Sequence, residues 1–378
     1  MNGWRGEAIL NGTHAYILDI MSEIVFILGA GASCDAGAPL MKDFLNRAEA
    51  LAKTFAGTPF AQSVATVADA QDQLQRVLIN ADFEVNNIEW VFGAIEMARL
   101  IGRFPGKTEP EIEALSAAIK KVIVGTLEHS MKFRYRQSHV HPTETYGRFA
   151  ELIRDLDGRT RTPRATVLTF NYDIGLDYAL SHSLAPPEYS LDPSTGSNGP
   201  LLLKLHGSLN WGRCTQCSTI LPLTTQVWFA KRMYVEDGDV ELSLGSNLSQ
   251  LLVCTRNGCI GAPDASPVLV PPTWNKTEYH NALRNVWRRA ANELGEAEQI
   301  YVIGYSLPES DMFFRHLYAL GAVGKRRLKR FVAIDPEESV GAKYRLLLGG
   351  HASRGYEFRN GTFGNSLNGI KQDLLGGS

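Results

Sequence analysis

Ser22-Glu23-Ile24-Val25-Phe26-Ile27-Leu28 runs straight into Gly29-Ala30-Gly31-Ala32-Ser33. A β-branched apolar run that stops at a glycine turn is the pattern of a strand buried on both faces of a parallel sheet, with a tight connection into a helix. Glycines at that point let bare backbone N–H groups at the helix start approach a pyrophosphate. A tight βα turn without any ligand is the competing reading. The dehydrogenase fingerprint would put Gly or Ala three residues after the second glycine, where Cys34 stands. No strand ending in Asp or Glu follows about twenty residues later either, which argues against a hydride-transfer enzyme.

Beyond this turn the pattern changes. From Pro39 to about Arg161 strand character is lost and apolar residues recur at helical spacing, as in Ile88, Val91, Phe92, Ile95 and Leu100, or Ile112, Leu115, Ile119 and Val122. This predicts four to six helices. After Pro163 short β-rich runs return at 165–169, 201–205, 268–270, 299–303 and 330–334, with helical segments at 281–294 and 311–320 separating the last three. Strands alternating with helices predict an α/β protein with a doubly wound parallel sheet. The tail, 341–378, is ambiguous, with 346–348 and 370–375 as packing segments. No internal repeat is visible.

The 378 residues carry 38 Lys+Arg against 40 Asp+Glu, a formal charge of −2, and are 44% hydrophobic. That composition buries a sizeable core, and near-neutrality removes the simplest electrostatic case for a nucleic-acid binder. The run Lys325-Arg326-Arg327-Leu328-Lys329-Arg330 reads as a solvated turn before a strand. The longest small-and-apolar run, 24–32, is far short of the roughly 18 residues of a membrane span. Glu7, His14 and Asp19 interrupt the first twenty residues, which do not read as a secretory signal, and Met21 is an alternative start. Five cysteines make an odd number for a disulfide framework, so a cytoplasmic location is expected and the N-x-[ST] triplets at Asn11, Asn247, Asn275 and Asn360 carry no glycan meaning.

Four of those cysteines form two hooks, Cys214-x2-Cys217 and Cys254-x4-Cys259, separated by 36 residues in a segment of little periodicity. Two turns supplying two thiolates each suit one tetrahedral ion, which predicts a structural zinc stabilising an insertion that lacks a core of its own. A closed four-sulfur site has no open position and hence no catalytic role. Cys34 stays outside this set, as a small packing residue. Thr169-Phe170-Asn171-Tyr172-Asp173 and Leu205-His206-Gly207-Ser208 both close strands, where open α/β sheets place ligand-contacting groups. Asn171 could hold a water or a sugar hydroxyl, and Asp173 could fix a loop; the pentad taken alone is an ordinary Asx turn. A neutral His206 at a strand end can act as general base, and equally can be a satisfied structural residue. His139, His141 and Glu144 read as a helix-start cluster rather than a metal site. Arg284, Arg288 and Arg289 read as a solvated helix face carrying Trp287.

In chain order, G-A-G-x-S, T-x-N-x-D, L-H-G-S and four zinc-type cysteines together resemble the sirtuin family. Ile303-Gly304-Tyr305-Ser306-Leu307-Pro308-Glu309-Ser310-Asp311 resembles that family's Gly/Ser cofactor loop, in the form found in bacterial sirtuin-like NAD hydrolases of antiphage defence. The resemblance spans about residues 22–340. It implies a Rossmann-like doubly wound sheet with a large helical insertion and a small four-cysteine zinc module. The corresponding division is an N-terminal extension (1–21), a Rossmann-like domain in three segments (22–44, 163–211, 267–340), a helical module (45–162), a zinc-binding insertion (212–266) and a C-terminal segment (341–378). It further implies that Ala30, Gly31, Ser33 and Asp43 lie around the pyrophosphate and ribose of NAD, that Asn171 and Asp173 approach the nicotinamide ribose, and that His206 is the catalytic histidine. Gly304, Ser306 and Asp335 would surround the adenosine half.

Three departures matter. Deacylating sirtuins follow the zinc segment with Phe-Gly-Glu, which helps hold the acyl-lysine peptide; Pro267-Val268-Leu269-Val270-Pro271-Pro272-Thr273-Trp274 stands there instead. The deacylase Pro-x-Phe-Arg element is replaced by Pro39-Leu40-Met41-Lys42-Asp43-Phe44, with no arginine, and the helical block replaces a short cofactor loop. The expected activity is therefore hydrolysis of NAD to nicotinamide and ADP-ribose, with Asn171 and His206 catalytic and replaceable without loss of folding. An NAD-dependent lysine deacylase and a non-catalytic NAD- or ADP-ribose-binding assembly subunit are the alternatives. Control by homo-oligomerisation or by a separate partner, such as a HerA-type ATPase by family analogy, is expected of a chain with no evident sensor domain.

Overall fold

The computed structural model describes residues 22–77, 84–158, 165–192, 199–230, 232–264, 266–271, 280–309, 311–321, 328–350 and 355–376. The N-terminal 21 residues, Pro163, Ser310, residues 272–274 and residues 325–327 of the basic run fall outside them.

Strand β1 (Ile24–Leu28) is buried at all five positions, which is why its sequence contains no polar residue. It leads into the short helix α1 (Ala30–Ser33) and a 3-10 turn (Cys34–Ala36). Helices α2 (Phe44–Thr54), α3 (Pro59–Val77), α4 (Ile88–Ile101) and α5 (Glu109–Ser130) follow. They pack on one another around α5, whose Ile112, Leu115, Ile119 and Val122 are buried at the expected helical spacing. Asn87 caps α4, its side chain accepting the Glu89 N–H, and Thr108 and Glu111 form a capping box at the start of α5. With α6 (Glu144–Asp157) these make five helices among the described residues of the region read as four to six. That region also holds a hairpin, β2 (Phe133–Arg136) and β3 (His139–His141), which the helical reading overlooked because its polar face breaks the apolar pattern.

The chain then lays down β4 (Ala165–Thr169), α7 (Gly175–Ser183) and β5 (Leu201–Lys204). The small elements β6 (Gly207–Ser208), β7 (Trp211–Arg213), β8 (Ile220–Pro222), α8 (Thr225–Ala230), β9 (Asp239–Val240), α9 (Leu248–Leu251) and β10 (Val268–Leu269) come next. Helix α10 (His280–Glu296), β11 (Gln299–Ile303), α11 (Met312–Gly321), β12 (Arg330–Asp335), α12 (Glu338–Leu348), β13 (Tyr356–Asn360) and α13 (Phe363–Leu375) close the fold.

All pairings in the central six-stranded sheet are parallel, in the order β13-β12-β11-β1-β4-β5. The chain winds outward from β1 to β4 and β5, then returns to the other side of β1 for β11, β12 and β13. This reversal creates a topological switch at β1/β11, the place where open α/β sheets bind ligands beyond the carboxyl ends of their strands.

The structure corrects three sequence expectations. The run 268–270 is not a strand of the central sheet: β10 pairs antiparallel with β6, beside His206. The ambiguous tail supplies the sixth parallel strand, β13, a half-exposed edge whose Glu357 and Arg359 take part in ion pairs with Arg330 and Asp373. The zinc-type insertion is not wholly without a core either, since Trp228, Phe229, Val240, Leu242, Leu244 and Leu248 join the main hydrophobic core. Only the cysteine hooks stand apart, with Leu221 as their buried apolar partner.

Candidate functional site

The glycines after β1 serve first to bring two loops together. Gly29 donates to the Ile303 carbonyl (3.1 Å) and Gly31 to the Gly304 carbonyl (2.9 Å). A Cβ on Gly29 would stand 2.5 Å from Tyr305 Cα, and one on Gly31 2.8 Å from Gly304 Cα. Gly304 adopts φ +59°, and a Cβ there would meet the Ala32 nitrogen at 2.5 Å. The expectation of a bare Gly31 N–H is thereby corrected: that donor is spent on the Gly304 carbonyl. Ala30 is half-exposed on the same turn.

Ser33, at the end of this turn, is the node of a buried network. Its hydroxyl donates to Asp173 Oδ2 (2.6 Å), lies 2.8 Å from the Tyr146 hydroxyl, and accepts from Asn171 Nδ2 (2.8 Å). Asn171 also donates to the Gly29 carbonyl (2.8 Å), so both amide hydrogens are committed. Among the described residues no hydrogen bond to its Oδ1 is seen. Asp173 Oδ1 accepts the Gly175 N–H (2.8 Å), the Asx arrangement expected from sequence, joined here to a longer-range role. Burial raises the Asp173 carboxyl above its ordinary range, against the pull of Lys204 and the Ser33 hydroxyl. Lys204 is fully buried, donating to Asp177 Oδ2 (2.8 Å) and to the Asp173 carbonyl (2.5 Å).

His206 lies two residues beyond the end of β5 and is 2% exposed. Its Nε2 lies 3.5 Å from Asp311 Oδ2, and the Tyr305 hydroxyl donates to the same carboxylate oxygen (2.8 Å). Tyr305 stacks on Phe170 (centroids 4.1 Å, planes at 10°), and Phe170 meets the His206 ring edge-on. A carboxylate held by a tyrosine beside a buried imidazole fixes the orientation of the ring. Asp311, Tyr305, Lys204 and Tyr146 were not singled out in sequence. Asp311 and Tyr305 lay inside the quoted loop, but their meeting with His206 depends on how α11 starts above β5.

At the rim, Cys34 is exposed, correcting its reading as a packing residue. Partial desolvation and the charges of Asp35, Asp43 and Asp335 push its thiol up to about 11, which disfavours the thiolate. Of these acids, Asp43 stands at the N-cap of α2 and Asp335 at the end of β12. Asp335 accepts the Glu337 N–H and is raised chiefly by burial. Ser306 is exposed, and its carbonyl receives Lys343 Nζ (3.4 Å). Leu307 holds φ +51° with its side chain fully buried, a strained conformation maintained by the packing of the loop.

The metal-type cluster is compact. Sγ atoms of Cys214, Cys217, Cys254 and Cys259 all lie within 4.8 Å of one another, with 3.6 Å for Cys214–Cys259 and for Cys217–Cys254. Tetrahedral zinc–sulfur bonds of ~2.3 Å set sulfurs about 3.8 Å apart, so the donor set fits a zinc ion. The Gly261 N–H points to Cys259 Sγ (3.5 Å), and a Cβ on Gly261 would meet Cys214 Sγ at 2.6 Å. His139 and His141 instead lie on β3, bonded to the Gln137 and Arg136 carbonyls, and form no metal cluster with Glu144 among the described residues. Of the basic helix residues, Arg289 pairs with the fully buried Glu293, and the Trp287 indole donates to the Leu205 carbonyl.

No protein-family model matches this chain, and no curated protein matches it. Solved structures of Sir2 proteins do. A Sir2 homologue in complex with NAD is 16% identical, with TM-score 0.40, over 93% of this chain and 88% of that one. A Sir2 enzyme from a study of mechanism and regulation is 13% identical, with TM-score 0.41, over 94% and 93%. A Sir2 enzyme bound to a propionylated peptide is 13% identical, with TM-score 0.37, over 95% of each chain. Likeness of this degree leaves the chemistry of the site to be argued from the chain's own residues. Among the described residues no helix is long and apolar enough to cross a membrane.

Proposed function

We propose that the chain binds NAD at the carboxyl ends of β1, β4, β5 and β11 and hydrolyses its nicotinamide–ribose bond, giving nicotinamide and ADP-ribose. The observation that carries the reading is the meeting, at one topological switch, of the Gly29–Gly304 loop pair, the committed Asn171 amide and the buried His206–Asp311 pair. Cleavage of the bond is limited by a ribosyl cation that develops as neutral nicotinamide leaves. A site that excludes water except at one oriented position favours it. With both amide hydrogens taken, Asn171 Oδ1 accepts a hydrogen from the attacking water. His206 accepts a proton from that water or from a ribose hydroxyl as the cation is captured, and Asp311 stabilises the imidazolium so formed. Ala30, Gly31, Ser33 and Asp43 are assigned to the pyrophosphate and ribose, Asp173 with Asn171 to the nicotinamide ribose, and Gly304, Ser306 and Asp335 to the adenosine half.

One observation favours hydrolysis over lysine deacylation. An extended peptide needs a free strand edge. Beside His206, however, the Val270 N–H donates to the His206 carbonyl and the Val270 carbonyl receives the Tyr172 hydroxyl. We assign the four cysteines a structural zinc, and the chain's biological setting to NAD depletion in bacterial antiphage defence, as a homo-oligomer or with a partner ATPase. Incubation with NAD in 18O-water, with and without an acetyl-lysine peptide, tests the reaction. Peptide-independent ADP-ribose carrying one 18O at the anomeric carbon is expected, whereas peptide-dependent O-acetyl-ADP-ribose would replace hydrolysis with deacylation.

A further inference from the structure

Beside the glycine turn, a cavity of 530 Å3 opens between the β2–β3 hairpin, the 3-10 turn after Ser33, and the N-terminus of α6. Its chemistry belongs to none of the groups assigned to NAD. Lys132, Arg134 and Arg136 line it. They stand at alternate positions of one extended segment, so the pleat puts three cations on one face. The fourth contribution is the start of α6, a 14-residue helix whose N-terminal end carries partial positive charge. Thr143 occupies its N-cap but makes no capping bond, is 9% exposed and lines the cavity; among the described residues its hydroxyl has no hydrogen-bond partner. A buried hydroxyl left this way is destabilising unless a ligand completes it.

Counter-charges are present and shape the choice of ligand. Asp35 and Glu144 also line the cavity, Asp35 receiving the Thr145 hydroxyl (2.8 Å). Arg134 and Arg136 have exposed partners in Asp239 (3.7 Å) and Asp237 (3.1 Å), whereas Lys132 makes no ion pair among the described residues. Cations with a helix N-terminus suit a phosphate, and neighbouring carboxylates suit the hydroxyls of its carrier. We infer that this cavity binds a phosphate monoester of a hydroxyl-bearing small molecule, such as a sugar phosphate or nucleoside monophosphate. The first turn of α6 also holds the glycine-turn residues, Thr145 through Asp35 and Tyr146 through Ser33 (2.8 Å). Occupancy is therefore transmitted to Ser33, a consequence that rests on the NAD reading of that residue; binding itself does not.

Calorimetric titration of the zinc-loaded protein at low ionic strength with inorganic phosphate, ribose 5-phosphate and AMP tests the site. Wild type is compared with the Lys132→Ala/Arg134→Ala double variant and with Thr143→Val, each checked for native unfolding behaviour. The expected result is saturable binding of at least one ester, weakened about tenfold or more in the double variant and severalfold in Thr143→Val. Tighter binding of AMP than of ribose 5-phosphate would identify a nucleotide as the carrier, and the reverse a sugar phosphate. The inference is overturned by inorganic phosphate binding as tightly as both esters, by no binding of any probe, or by ester binding that the variants leave unchanged. The last outcome would locate AMP in the NAD cleft.

Discussion

Asn171 shows how a residue assigned to chemistry can also hold the fold. Its two donated hydrogen bonds tie β4 to the glycine turn, so the sequence expectation that it can be replaced without affecting folding needs revision. Asn171→Asp cannot donate to the Gly29 carbonyl. It should lower unfolding free energy by about 1–3 kcal/mol in urea titration and also abolish NAD turnover. Lys204→Met strands Asp177 in the interior without its cation and should cost about 3–5 kcal/mol in the same assay. A smaller loss would mean that Asp177 takes up a proton in the variant. At this scale the sequence disclosed much: Ser33, Asn171, Asp173 and His206 were all named from strand ends or from the sirtuin resemblance. Lys204 and Tyr146 stayed hidden, because a lysine in an apolar run and a tyrosine on an amphipathic helix look the same whether or not a buried acid or hydroxyl waits across the fold.

Among the elements, the loop after β11 and the helix α5 carry the clearest consequences. Gly304→Ala combines a left-handed φ of +59° with a clash at the Ala32 nitrogen. It should weaken NAD affinity and lower stability by more than the ~1–2 kcal/mol cost of the backbone conformation alone. On α5, the buried Glu128 accepts from the Gly245 N–H (2.7 Å) and the Ser246 hydroxyl (2.6 Å), fastening the segment before α9 to the helical layer. Burial raises its carboxyl above the ordinary 4.5, so the folded chain binds this proton more tightly than the unfolded chain does. Its contribution is greatest below that ordinary value and declines as pH rises through the raised one. Urea midpoints measured across that interval should fall with pH in wild type and fall less in Glu128→Gln. Strand β13 marks a limit of pattern reading: Tyr-Glu-Phe-Arg-Asn alternates as a half-exposed edge does, and charged edge residues mask a strand that buried β-branched runs announce.

For the whole molecule, the sheet and the cysteine module should separate on loss of metal. The sheet is held by the main core, whereas the cysteine hooks have little buried apolar surface apart from Leu221. A strong chelator should therefore release one zinc per chain and increase proteolysis near 214–222 and 254–263, while amide-exchange protection in β1, β4, β5 and β11 persists. Uniform loss of protection would instead make the module part of the central cooperative unit. The doubly wound architecture was legible because parallel strands buried on both faces must be apolar throughout. The convergence of His206, Asp311 and Tyr305 was not, since it depends on a return crossover that brings β11 alongside β1. The most direct test of the NAD reading is chromatographic quantitation of NAD, nicotinamide and ADP-ribose over time, without peptide, for wild type and His206→Ala at matched zinc content and matched stability. The expected result is stoichiometric nicotinamide and ADP-ribose from wild type and none from the variant; equal turnover by the two proteins would contradict the assignment of His206 and of the cleft around it.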